Sequence, residues 1–167
     1  DSMDTVSKLS RYAAGIDSDI RFIGIPKTID NDLVETDHTP GYGSAAKYVA
    51  STVREIALDA SVYDNKKSVT IVEIMGRDAG WLTAASALSR LNGADGPSLI
   101  YLCERAFDMD KFIEHVKEKL EEKPAILVAV SEGIKGADGK YISESEQSGA
   151  MDVFGHSYIA GAARVLE

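Results

Sequence analysis

Cysteine is nearly absent: Cys103 is the only one in 167 residues. A lone thiol excludes an internal disulfide and fits a reducing compartment. Long apolar runs are missing too. No stretch approaches the ~20 residues that span a bilayer, and no secretory leader pattern is present. Positive charge is scarce, with 18 Lys and Arg against 27 Asp and Glu, a net charge of -9. That balance argues against nucleic acid and anionic membrane surfaces as partners, because both need a basic footprint. An anionic ligand would be repelled by the body of such a protein. It would need a local cluster of Lys, Arg, helix amino termini and a metal ion. Internal repeats and low-complexity segments are absent as well.

What is present suffices for a folded domain: 44% of the residues are hydrophobic. The pattern predicts helices over residues 3–14, 42–60, 79–91 and 108–122, and a last one from Phe154 onward. It predicts strands over residues 20–25, 69–75, 99–102 and 125–130, a loop over 27–39 and turns at 76–78 and 136–139. Ser2 suits an N-cap, Gly15 a helix stop, and Pro124 ends the fourth helix. Strands alternating with helices imply βαβ units, hence an α/β fold with a mostly parallel sheet and helices on both faces. The loop around residues 36–43, with Pro40, Gly41 and Gly43, is the expected hinge between two α/β domains. The opening at Asp1 and the close at Glu167, inside a helical pattern, lead us to expect a piece of a longer chain.

Three predicted strands run straight into unusual polar residues. The first meets Pro26-Lys27-Thr28-Ile29-Asp30-Asn31-Asp32, the second Gly76-Arg77-Asp78, the third Cys103-Glu104-Arg105. Parallel strands place such loops on one sheet edge, where ligands bind in open α/β folds. The residue types suit phosphoryl transfer: a lysine and an arginine for phosphate oxygens, a carboxylate to take a hydroxyl proton, another to help hold a metal. Each has a plainer reading. Asp30-Asn31-Asp32 equally fits a solvated turn, Lys27 an ordinary exposed lysine, and Arg77 a surface ion pair. An EF-hand fits poorly, because Glu35 stands where its loop needs glycine. Cys103 reads as a buried filler, Glu73 as a satisfied structural carboxylate, Trp81 as packing, and His115 as a solvated residue of an amphipathic helix. His38 carries no partner pattern.

The segment from Pro26 to Asp32 resembles the signature loop of the phosphofructokinase family, and Met75-Gly76-Arg77, extended by Asp78-Ala79-Gly80-Trp81, resembles that family's second loop. The resemblance covers essentially the whole chain. It implies a Rossmann-like fold in which residues 1–40 are the carboxyl-side piece of the phosphate-donor domain and 41–167 a truncated sugar-phosphate domain. It makes Asp30 the base that deprotonates the 1-hydroxyl of fructose 6-phosphate. Thr28, Asp30, Met75, Gly76, Arg77 and Glu104 become substrate contacts, with Lys27 and Arg77 on the transferring group. Asp32 would act on Mg²⁺ through water. Lys27, and Asp1 before Ser2, are the variants seen in pyrophosphate-dependent members, so pyrophosphate is favoured over ATP as donor. The alternatives are the ATP-dependent enzyme and a non-catalytic sugar-phosphate-binding subunit. The resemblance further implies a cytoplasmic glycolytic enzyme, homodimeric or homotetrameric, whose isolated fragment would lack part of each site.

The match has departures. Cys103 stands where the family usually has proline before its glutamate. Gly155-His156 is not followed by the family's Gln-Arg-Gly-Gly, so His156 reads as a helix-start residue. Lys66-Lys67-Ser68 occupies the place where the family offers a basic residue to a neighbouring subunit.

Overall fold

A computed structural model describes residues 2–62, 65–145 and 161–167. Its centre is the strand β4 (Ala125–Ser131), whose sequence AILVAVS has no polar residue before its last position. Such a run fits a strand covered on both faces, and parallel sheets require that cover. β4 lies between β1 (Ser68–Ile74) and β2 (Leu99–Tyr101), parallel to both, in the order β1-β4-β2. Ser68 pairs with Ala125 and Ile74 with Ser131, while Leu99 pairs with Val128.

The period of two along β4 divides the core. Leu127 and Ala129 face α2 (Tyr42–Ser61) and α3 (Trp81–Ala85), where Val53, Ala57, Ile74 and Leu82 close the layer. Ile126, Val128 and Val130 face the other way, against Phe112 of α4 (Met109–Glu122), Phe107, Ile134 and Leu166 of α5 (Ala162–Leu166). Asp108 starts α4 by accepting from the Lys111 N–H at 3.2 Å. Glu73 is indeed satisfied: its carboxylate takes the N–H groups of Gly161 and Ala163, at 3.1 and 2.8 Å, and so caps α5.

Several expectations change. Residues 20–25 form no strand among the described residues. A strand needs a neighbour for its ladder, and this run finds none. It keeps only the alternation, with Ile20, Ile23 and Ile25 exposed and Gly24 set against Met3 and Val6 of α1 (Ser2–Gly15). The helix expected over 79–91 begins at Trp81 and turns into a 3₁₀ helix at Ser86–Gly93. The buried hydroxyls of Ser86 and Ser89 donate to the carbonyls of Thr83 and Ser86, three residues back, and tighten the coil. A small parallel pair, β3 (Ala106–Phe107) with β5 (Lys135–Gly136), was not legible at two residues per strand. A second 3₁₀ turn covers Ile142–Ser145. His115, though exposed, meets the Tyr101 hydroxyl at 3.0 Å through Nδ1. Of the helix expected from Phe154, residues 154–160, His156 included, lie outside the described residues; α5 occupies the remainder.

Phe112 is 4% exposed and touches Tyr101 and Phe107, with ring centroids 5.4 and 5.6 Å away. Phe112→Ala should therefore cost about 3–5 kcal/mol in urea denaturation followed by circular dichroism. A loss below about 1 kcal/mol would mean that α4 is not seated on β4 as described.

Candidate active site

Three parallel strands end at one edge of the sheet, and the segments leaving them are tied together. β1 runs into Met75-Gly76-Arg77, β4 into Glu132-Gly133, β2 into Leu102 to Arg105. The exits of β1 and β4 exchange hydrogen bonds. The Glu132 N–H donates to the Ile74 carbonyl at 3.0 Å, the Ser131 hydroxyl to the Gly76 carbonyl at 2.6 Å, and the Gly76 N–H to Glu132 Oε1 at 3.2 Å. Gly76 sits at φ 127°, a conformation that favours glycine. A side chain there would strike the Ala79 carbonyl, so the close approach that requires glycine is the protein's own. Gly133 is tighter still: a Cβ would overlap the Arg77 carbonyl. The backbone of Arg77 thus rests directly on the β4 exit, while its side chain is exposed.

The loop over residues 27–39 is pinned from within. Asn31 is buried, takes φ 58°, and its side chain crosses the loop. Its Oδ1 accepts from the Thr39 N–H at 2.9 Å and its Nδ2 donates to the Asp37 carbonyl at 3.1 Å. The Thr39 hydroxyl donates to the Thr28 carbonyl at 2.7 Å, and Ile29 packs on the α2–α3 core. Asparagine tolerates the left-handed region better than most residues, which suits it to this place. Between these anchors stands Asp30. Its N–H donates to Thr28 Oγ1 at 3.1 Å.

Asp30 is half-buried, and its Oδ1 is buried with no hydrogen-bond partner. Burial first, and then the neighbouring Asp32 carboxylate, raise its pKa above the ordinary carboxylate value; the charges of Lys27 and Arg77 pull the other way. The structure therefore brings Asp30, Asp32, Lys27 and Arg77 into one electrostatic neighbourhood. Lys27 and Asp32 are exposed, Thr28 is half-buried, and Met75 is 54% exposed.

Glu104 is exposed, and its carboxylate also braces the chain around it. Its Oε1 accepts from the Gly80 N–H at 2.7 Å, and its Oε2 accepts from the Cys103 thiol at 3.4 Å. It anchors the chain just beyond Arg77 at the start of α3. Cys103 is buried, and burial above all pushes its thiol up to about 11, which removes it as a nucleophile near neutral pH. Asp1 lies outside the described residues. Among the described residues no group of three or more His, Cys, Asp or Glu side chains is placed to hold a metal. Asp30 and Asp32 supply two carboxylates, fewer than Mg²⁺ sites complete without water and substrate oxygens.

Sequence reasoning missed Asn31 and Thr39 as the frame of the loop, and Glu132 and Gly133 as a further exit at the same edge. The rule that pointed to the other exits applies to the end of β4 as well. Gly133→Ala should displace the Arg77 backbone. The expected outcome is a loss of about 1–3 kcal/mol in urea denaturation, with far-UV circular dichroism unchanged. An unchanged denaturation midpoint would show that the Arg77 turn has room to spare.

The phosphofructokinase family model matches residues 1–166. The pyrophosphate–fructose 6-phosphate 1-phosphotransferase of Xanthomonas campestris is 47% identical over 99% of this chain and 40% of its own length. That of Rhodospirillum rubrum is 45% identical over 100% of this chain and 41% of its own. The solved pyrophosphate-dependent phosphofructokinase of Nitrosospira multiformis superposes with a TM-score of 0.73 at 38% identity, over 83% of this chain and 35% of that one. The chain spans about 40% of the length of the curated relatives it matches. No helix among the described residues is long and apolar enough to cross a membrane. Motif order, parallel α/β architecture and a family match over nearly every residue agree: this chain belongs to the phosphofructokinase family.

Proposed function

We propose that the protein to which this chain belongs transfers a phosphoryl group from pyrophosphate to the 1-hydroxyl of fructose 6-phosphate. The observation that carries the reading is the Asp30 carboxylate, with one buried oxygen unpartnered and two cations in its field. A buried acceptor without a donor is costly in a folded chain, and such costs concentrate where a ligand supplies the partner. Asp30 takes the proton of the sugar hydroxyl as that oxygen bonds to phosphorus and inorganic phosphate departs. In the reverse direction it returns the proton. Its raised pKa makes it a stronger base than an ordinary carboxylate, as the role requires.

Lys27 and Arg77 neutralise charge on the transferring group, a contribution that dominates many phosphoryl transfers. Thr28, Met75 and Gly76 line the sugar phosphate. Glu104, which also holds Gly80, orients the sugar, and Glu132 adds a carboxylate beside Gly76. Mg²⁺ would supply positive charge to offset that of the phosphate groups. Asp32 would reach it through water, together with groups beyond this chain.

Lys27, Asp1 and the names of the relatives favour pyrophosphate over ATP as donor. Residues 1–40 belong, in this reading, to the donor domain and 41–167 to the sugar-phosphate domain. The enzyme works in the cytoplasm as a homodimer or homotetramer.

Asp30→Ala in the full-length enzyme should lower kcat about 10²–10⁴-fold, the usual worth of a general base. KM for fructose 6-phosphate should stay within about threefold. Side-by-side rates with pyrophosphate and ATP test the donor, and a faster rate with ATP overturns that part. Wild-type turnover by Asp30→Ala overturns the reaction itself.

The pH profile gives an independent check. Protonated Asp30 cannot act as base, so forward kcat/KM falls as pH drops through its pKa. Because that pKa is raised, the acid limb lies above the ordinary carboxylate range. Asp32→Asn removes a raising influence and should move the limb to lower pH. Lys27→Met removes a lowering one and should move it higher. Shifts of opposite sign to these would remove Asp30 as the titrating group.

A further inference from the structure

A second carboxylate stands one residue from Arg77. Asp78 Oδ1 accepts from Lys135 Nζ at 2.6 Å and from the Tyr141 hydroxyl at 2.9 Å. The Lys135 ammonium also lies 4.5 Å from the centroid of the Tyr141 ring. Both partners come from the segment beyond β4: Lys135 lies in β5, and Tyr141 folds back to bridge it. The Arg77 guanidinium, by contrast, makes no hydrogen bond or ion pair among the described residues. Its charge nonetheless reaches Asp78, whose carboxyl is held below the usual range by Lys135 first and by Arg77 in smaller part. A carboxylate beside a guanidinium is its natural bidentate partner. An Asp78 without other engagements would compete with any anion for Arg77.

We propose that Lys135 and Tyr141 occupy the Asp78 carboxylate so that the adjacent Arg77 guanidinium stays open to a phosphoryl group. Lys135 and Tyr141 are then positioning residues that act through Arg77, and the proposal rests on the assignment of Arg77 made above. It differs from a structural role in its asymmetry. An exposed ion pair adds little to stability, and losing either end of it should be equivalent. A sequestered competitor behaves otherwise: freeing it is harmful and deleting it is not.

Steady-state kinetics of the full-length enzyme with pyrophosphate and fructose 6-phosphate tests this, with thermal melts to confirm folding. Lys135→Met should lower kcat about tenfold while KM for fructose 6-phosphate moves less than about twofold. Tyr141→Phe keeps the ring and loses only the hydroxyl, so it should give a smaller loss in the same direction. It carries the test alone if Lys135→Met does not fold, and an unchanged kcat there counts against the proposal. Adding Asp78→Asn to Lys135→Met should restore kcat to within about threefold of wild type, because the competitor is gone. In an Arg77→Ala background Lys135→Met should change nothing further. Unchanged kcat in Lys135→Met and Tyr141→Phe, or a deeper loss on adding Asp78→Asn, overturns the proposal. Wild-type turnover by Arg77→Ala overturns the assignment of Arg77 and this role with it. A crippled Arg77→Ala enzyme without the rescue overturns the Asp78 role alone.

Discussion

The pairing of β1 with β4 is the constraint from which the site descends. Their parallel register sets Ile74 beside Ser131, so the two chains leave the sheet together and at the same height. Only from there can the Ser131 hydroxyl reach the Gly76 carbonyl, and only then does Gly133 come to lie under Arg77. The Arg77 side chain, proposed above to meet an anion, is on the surface. What aims it is a strand buried on both faces, in which Val128, Ala129 and Val130 are 0% exposed. Precision at the sheet edge is inherited from packing in the middle.

The loop that carries Asp30 solves a different problem. It must hold a charged group partly out of water without giving it a partner inside the protein. Asn31 and Thr39 do this by using up the loop's own backbone groups, so that the loop cannot relax toward the carboxylate. Asp30 keeps one oxygen unpaired and a raised affinity for protons. In a protein of net charge -9, two nearby cations are what make such a spot hospitable to a phosphate at all.

Much of this was legible in the chain. β4 announces itself as an unbroken apolar run, α4 through its periodicity and Asp108, and the loops after β1 and β2 through polar residues placed just past strands. The illegible parts share a cause, which is dependence on something distant in sequence. Residues 20–25 have a strand's pattern but lack a ladder neighbour among the described residues, and a pattern cannot report its neighbour. The two-residue strands β3 and β5 are too short to carry a period. The hydroxyls of Ser86 and Ser89 convert a helix to its tighter form through bonds that composition does not display. Glu104 reads as a ligand for sugar in the motif, which does not display that it also takes the N–H of Gly80, 24 residues earlier in the chain. Gly133 has no local signal whatever, because its reason for being glycine is Arg77, which comes to it from another strand.

The faces of β4 alternate between two unlike layers, one of aliphatic residues over α2 and α3, the other rich in phenylalanine over α4. A single inserted residue would exchange those layers and, in the same stroke, slide the glycine out from beneath the arginine. A chain altered in that way would retain every side chain of the proposed site and still not assemble it. Its defect would be one of alignment, invisible to any inventory of its parts.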